Sequence, residues 1–417
     1  MKNPLFVLAL IVSLCVFSSC KDGANPDVLM PLSASSTRAL DVDEEIADIN
    51  VDKSQIKEIK VPSVKESFSL YDVIDSLVYV PLETTSESLL GRIDKIESDA
   101  SFLFVLDKDN NNAMRFSAEG KYLGPIGQEG EGKGQYTQIS DMSLDKQNQQ
   151  ICLLDAQSGK LLFYSYDGRF IKEDPLYYYY QEVEFSKGFM IENTSFAYNK
   201  HVPQIDCNKL VISNRQQQPI SKGFPYSERQ RTDFHWALPN ALTTLNGKVY
   251  YNHILSNSIW VIDGNTCKGV YKISLPNGCG SLDMFNTTSI TDNVFEQKLD
   301  QSPMAYRREY LQTSNVLYIK LSEDGVVKPV FYNKSSGKIL FGNAFPERKN
   351  NLFETFSGDI FDFANDDCFI KVIQPFDIFK IMKESKGITP SNKEKVLLDK
   401  INEESNPVLV FVKLRNF

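Results

Sequence analysis

Four features of this chain have residue types or spacings that could do chemistry. GQEGEGKG at 127–134 nearly spells a Walker phosphate loop, with Gly127, Gly132 and Lys133 in place. Gly134 stands where a Ser or Thr would hold magnesium, two glutamates would repel phosphate, and no helix is expected to follow. The stretch therefore reads as a glycine-rich loop between blocks of structure. The histidines, His201, His235 and His253, have no second ligand type nearby at a helical or strand spacing, and the cysteines form no CxxC pair or Cys/His cluster. No metal site and no cofactor are expected. No GxSxG elbow marks a nucleophile either.

The fourth feature is aromatic: the tyrosine run at 177–180 and the cluster Phe234-His235-Trp236. On a strand, alternate tyrosines face opposite ways, so Tyr177 and Tyr179 could stack on sugar rings while their neighbours pack inside. With Trp236 they are the candidate ligand-binding residues, and plain packing is the alternative. A hydrolase would instead need two suitably spaced carboxyls. Carboxylates converging at the centre of the fold would favour an enzyme, and an uncharged aromatic bowl a binder.

The N-terminus supplies an address. Lys2 precedes an apolar run at 5–17, too short to cross a bilayer, and Ser18-Ser19 then lead into Cys20. FSSC resembles a bacterial lipobox, whose Cys is diacylated; Phe17 departs from the usual Leu. Residues 1–19 thus read as a lipoprotein signal peptide and Cys20 as the lipid attachment site, giving contact with the membrane through an N-terminal lipid. A short buried helix is the alternative, but Lys-Asp-Gly follows at once with no cap or amphipathic period. Lys21-Asp22 also resembles the short charged export tag of Bacteroidetes lipoproteins, which implies an outer-membrane lipoprotein of the cell envelope that is exposed at the surface.

Hydrophobic residues make up 42% of the 417 and charged residues 24%, enough apolar matter for a folded body. The net charge of −9 argues against nucleic acid as a partner. Residues 20–60 are polar and acidic and read as a flexible tether, with a short helix over 41–50 as the alternative.

Beyond the tether the sequence repeats. FLFVLD at 102–107 is matched by QICLLD at 150–155, 48 residues on, and Phe116 is matched by Tyr164. The same register reaches Ile212 and Trp260 and places Glu119-Gly120, Asp167-Gly168 and Asp263-Gly264 in line; the third copy has Arg215-Gln216 at its turn. A further copy is read at Leu321, Asp324 and Gly325, displaced by a loop or helix near 290–312, where Arg307-Arg308-Glu309 would form a solvated helix face. An acidic-Gly pair between apolar runs is a hairpin signal. A continuously apolar run suits a strand buried on both faces, so period and burial together predict a β-propeller over residues 61–417. A β-sandwich gives no reason for the 48-residue register.

Three stretches, VPLETTSESLLGRIDKI at 80–96, FSAEGKYLGPIGQEGEGKGQY at 116–136 and NPVLVFVKL at 406–414, resemble the six-bladed β-propeller lipoproteins of Bacteroidetes, relatives of NHL-repeat propellers. The resemblance implies an all-β fold of six four-stranded antiparallel blades with a few inserted helices. It also implies closure of the ring by the last strand, at 408–413, pairing in the first blade. Ser391 would cap a helix inserted at 391–404. The function expected is binding, of a glycan or a partner protein, with a glycan-active hydrolase or lyase using the axial funnel as the alternative.

Overall fold

The computed structural model describes residues 45–63, 68–233, 240–253, 256–276, 291–294, 297, 304–323, 326–342, 360–384 and 389–417. Strands β1 (Ala47–Asp48), β2 (Val51–Asp52), β3 (Lys57–Lys60) and β4 (Ile74–Pro81) precede six blades. Blade 1 is β5 (Lys95–Ser98), β6 (Phe102–Asp107), β7 (Asn112–Ser117) and β8 (Tyr122–Pro125). Blade 2 is β9 (Asp141–Asp145), β10 (Gln150–Asp155), β11 (Lys160–Ser165) and β12 (Phe170–Pro175). Blade 3 is β13 (Glu182–Ser186), β14 (Phe189–Asn193), β15 (Asn208–Ser213) and β16 (Pro219–Pro225). Helix α1 (Glu228–Asp233) leads to blade 4, formed by β17 (Leu242–Leu245), β18 (Lys248–Tyr251), β19 (Ser258–Asp263) and β20 (Thr266–Ser274). Blade 5 is β21 (Met304–Gln312), β22 (Val316–Glu323), β23 (Val326–Asn333) and β24 (Ile339–Phe341). Blade 6 joins β25 (Phe363–Ala364), β26 (Phe369–Ile373) and β27 (Val408–Leu414) to β4, with α2 (Pro375–Glu384) and α3 (Asn392–Leu398) between β26 and β27.

The all-β, six-bladed propeller expected from the sequence is the fold observed. Its apolar runs explain the ring. In β10, Ile151 and Leu153 pack toward blade 1 while Cys152 and Leu154 pack toward blade 3, because alternate side chains of a strand leave by opposite faces. Six such clusters fill the six junctions between blades. The 48-residue register marks the third strands: Phe116, Tyr164, Ile212 and Trp260 lie on β7, β11, β15 and β19, each beside a bulge toward the fourth strand. A bulge bends and twists the outer strand. Gly120 takes the left-handed φ of 88° that the first of these turns requires.

Four expectations need correction. Closure uses β27 as the third strand of the last blade, with the N-terminal β4 outside it, instead of a last strand added to the first blade. The copy read at Leu321 lies on β22, a second strand, out of step with the third strands that carry the register, and its Asp324-Gly325 pair lies outside the described residues. Arg307-Arg308-Glu309 belongs to β21, where Glu309 pairs with Lys320 at 3.0 Å. The helix capped by Ser391 is present with a full capping box but ends at Leu398.

The acidic tether is shorter than read. From Glu45 the chain lies against the rim: β1 adds in parallel to β16, and β2 and β3 to β20. Ile46, Ile49, Ile59 and Val61 are buried there, and this apolar punctuation holds the belt where its charges face outward.

Candidate functional site

First strands lie innermost: β5 touches β9, β9 touches β13, and β13 touches β17. Consecutive strands of a blade alternate in direction, so residues that open first strands and residues that link second to third strands share one face of the disc. Two groups of side chains meet on that face.

The axial group is ionic. Lys95 opens β5, and its Nζ lies 2.9 Å from Asp141 Oδ1, 2.9 Å from Glu184 Oε1 and 3.9 Å from Glu97 Oε1. Asp141 Oδ2 also accepts from Val183 N at 3.2 Å, and Glu182 accepts from Ala241 N and Leu242 N at 3.1 and 2.8 Å. Each acid thus grips the opening strand of the following blade, stitching blades 1 to 4. Burial alone would lower Lys95, but Asp141, Glu184 and Glu97 hold its ammonium well above the usual range. Burial pushes the Glu184 carboxyl well up, Lys95 opposing it and Glu97 and Asp141 adding to it. Burial and Asp141 raise Glu182 to about 7. Among the described residues, the axial side chains of blades 1 to 3 are therefore converging carboxylates with Lys95 standing between them, not an aromatic bowl.

The second group is a shelf of rings and cations on blade 3. The long β14–β15 connection carries Phe196 and Tyr198, and Tyr226 meets Phe196 edge-on at 5.0 Å. Arg231 on α1 lies 5.1 Å from the Tyr198 ring and 5.5 Å from the Tyr226 ring, and Lys200 lies 5.2 Å from the Tyr198 ring. Arg231 is paired with Asp206 at 2.7 Å and Lys200 with Glu228. Tyr198 remains 43% exposed. Lys209 Nζ sits 5.1 Å from Phe196 and 5.8 Å from Tyr226, and burial lowers it to about 8. Beside it Ser195 holds a left-handed φ of 47°, rare for a residue with a Cβ.

Of the expected ligand residues, Tyr177 and Tyr179 fall beside this shelf, tied to its connection by Asn199 and His201. Tyr177 and Tyr179 are in the connection from β12 to β13, with no strand there, yet alternation survives: Tyr178 and Tyr180 are buried while Tyr177 and Tyr179 are half-buried against the blade 2–3 core. His201 Nε2 meets the Tyr177 carbonyl at 3.0 Å, and its ring faces Tyr179 edge-on. Trp236 lies outside the described residues, as do Cys20 and His235. The glycine-rich loop is structural: Gly134 N donates to Glu173, and a Cβ on Gly127 would meet the Tyr164 hydroxyl at 2.4 Å. A groove of about 420 Å³ opens between β4 and α3, lined in part by Val78, Tyr79, Lys393 and Val396.

Beneath the tyrosine run, Tyr178 donates to Glu192 at 2.8 Å and Ser213 donates to its other oxygen. Burial pushes Glu192 up to about 8. The folded chain therefore keeps a proton there that the unfolded chain releases near pH 4.5, and stability contributed by this group is lost as pH rises toward 8. Glu192→Gln is expected to flatten the fall in stability between pH 5 and 8 by on the order of 3 kcal/mol. Denaturant titrations at pH 5 and 8 check this; parallel curves for both proteins would show that Glu192 is ionised in the fold.

A family model described as "Domain of unknown function (DUF4934)" matches residues 53–413. No curated protein matches. Among solved structures, the chain is similar to a protein of Bacteroides fragilis NCTC 9343 inferred to be exported, at 19% identity and a TM-score of 0.71, covering 87% of this chain and 100% of that one. It is also similar to a member of the DUF4221 family from Bacteroides vulgatus ATCC 8482, at 9% identity and a TM-score of 0.46, covering 83% of this chain and 98% of that one.

Proposed function

Since this chain belongs to the DUF4934 family, whose description assigns no activity, we propose its function from geometry: an exported, lipid-anchored propeller that binds glycan at the shelf on blade 3. The observation that carries the reading is the exposed Tyr198 ring, backed by Arg231 and Lys200 and flanked by the half-buried Tyr177 and Tyr179. Rings of this kind stack on sugar faces, and cations behind them hold the ring in place. The N-terminal layout and the exported character inferred for the B. fragilis protein support a place in the cell envelope. Cys20 would carry the lipid, with residues 21–44 joining it to the belt. A protein partner would instead suit the groove beside β4, where Val78 and Val396 are exposed.

Tyr198→Ala is expected to weaken binding to a glycan-array hit about fivefold while leaving the melting temperature unchanged, since one stacked ring contributes about 1 kcal/mol. Trp236→Ala tests the second aromatic cluster of the sequence in the same way. Tyr177→Ala and Tyr179→Ala are expected to lower stability as well, because both side chains are half-buried. Unchanged affinity in all four variants would remove the shelf as the site. For the anchor, Cys20→Ser is expected to abolish incorporation of a labelled fatty acid, and undiminished label would overturn it.

The second reading, a glycan hydrolase or lyase at the axis, has the converging acids Asp141, Glu182 and Glu184 in its favour. Their exposures of 3%, 8% and 1%, and the ammonium fixed between Asp141 and Glu184, weigh for the binder.

A further inference from the structure

Lys209 is 4% exposed, and its ammonium has only ring contacts, to Phe196 and Tyr226, with no carboxylate or carbonyl partner among the described residues. An unpaired buried charge is costly and calls for a counter-group. Tyr251 Oη is also buried and without a hydrogen-bond partner. Both residues line one cavity between blades 3 and 4, together with Asn193, Ser195, Phe196 and His253. Glu182, the acid close enough to act on Tyr251, already accepts from the backbone of Ala241 and Leu242. The cavity holds about 10 Å³, room for one oxygen-sized atom.

We propose that this cavity is the carboxylate subsite of the glycan site, where Lys209 Nζ and Tyr251 Oη donate to one carboxylate oxygen of an acidic sugar. The Lys209 ammonium can only donate, so a cation finds no acceptor in it, and the Tyr251 hydroxyl can turn its hydrogen to the same acceptor. An oxygen bearing negative charge satisfies both, and charge-assisted hydrogen bonds are the strong ones. Phe196 lines the cavity and meets Tyr226 edge-on, and Arg231 faces both Tyr226 and the exposed Tyr198, so the cavity and the shelf adjoin through these rings. The inference rests on the glycan reading and narrows it to uronate-bearing chains.

The test uses the mature protein with oligogalacturonate and its carboxyl-reduced counterpart, by calorimetry, alongside free glucuronate and glucose read on the ¹³C-labelled lysine signals. Expected is a Lys209 signal, assigned by its absence in Lys209→Met, that moves with glucuronate and not with glucose. Lys209→Met is expected to weaken oligogalacturonate at least about tenfold, and Tyr251→Phe about threefold, with the reduced oligosaccharide unaffected by either. Equal binding of the acidic and reduced chains, unmoved by either variant, would overturn the subsite and leave the glycan reading standing. A glucuronate shift without binding of any oligosaccharide would keep the subsite and remove the glycan reading. No shift and no loss would mean that the cavity holds a trapped water only.

Discussion

A chain ending at Ser405 is expected to lose its cooperative unfolding transition. Removing residues 406–417 takes out β27, which stands between β26 and β4 in blade 6. Val408, Leu409, Val410, Val412 and Leu414 are all buried, and they serve the clusters on both sides of that blade. Five such side chains contribute roughly 10 kcal/mol, against a total stability of about 5–15 kcal/mol for a folded domain. β4 is also left without a neighbour in its sheet, so the ring opens where its two chain ends meet. Calorimetry and far-ultraviolet dichroism check this. A truncated protein that melts as sharply and as high as the full chain would show that closure does not hold the ring together.

The second large effect is expected at the axis. Lys95→Met removes the ammonium that bridges Asp141 and Glu184, leaving these buried carboxylates without their direct ion-pair partner, a change that costs about 3–5 kcal/mol. The sign follows from protonation. Without Lys95 the acids of the folded chain keep their protons to higher pH than those of the unfolded chain, so the deficit is small near pH 4 and grows toward pH 8. Adding Glu184→Gln removes one buried charge and is expected to restore part of the loss at pH 8. Equal melting of Lys95→Met and the natural protein at pH 8 would mean that the acids do not stitch the blades.

The propeller was legible because its cause is periodic. The third strands of blades 1 to 4 end at tight turns about 48 residues apart, and the middles of FLFVLD and QICLLD must be apolar on both faces to fill a junction on each side. The belt left a fainter trace. Two-residue strands such as β1 and β2 have no room for an alternating pattern, and only Ile46, Ile49, Ile59 and Val61 interrupt the acids. The register failed at blade 5 because an apolar run such as that around Leu321 suits a second strand as well as a third.

The site was legible only at its edges. Tyr177 and Tyr179 drew notice as aromatic repeats and do lie beside the shelf, but the ring most available to a ligand is Tyr198, a single tyrosine in a polar stretch. Lys95 and Asp141 stand 46 residues apart and Lys95 and Glu184 stand 89 apart. That near-blade spacing of charges at the openings of first strands was the signal that could have found the axial group. Lys209 and Tyr251 come from different blades, and no spacing links them until the sheets are stacked.

The most direct test of a glycan site on blade 3 is a structure of the mature protein with its best array ligand. The account predicts sugar density against Tyr198, reaching toward the cavity of Lys209 and Tyr251. Density at the axis against Asp141 and Glu184, with Lys95 displaced, would contradict it and make the converging acids the working site.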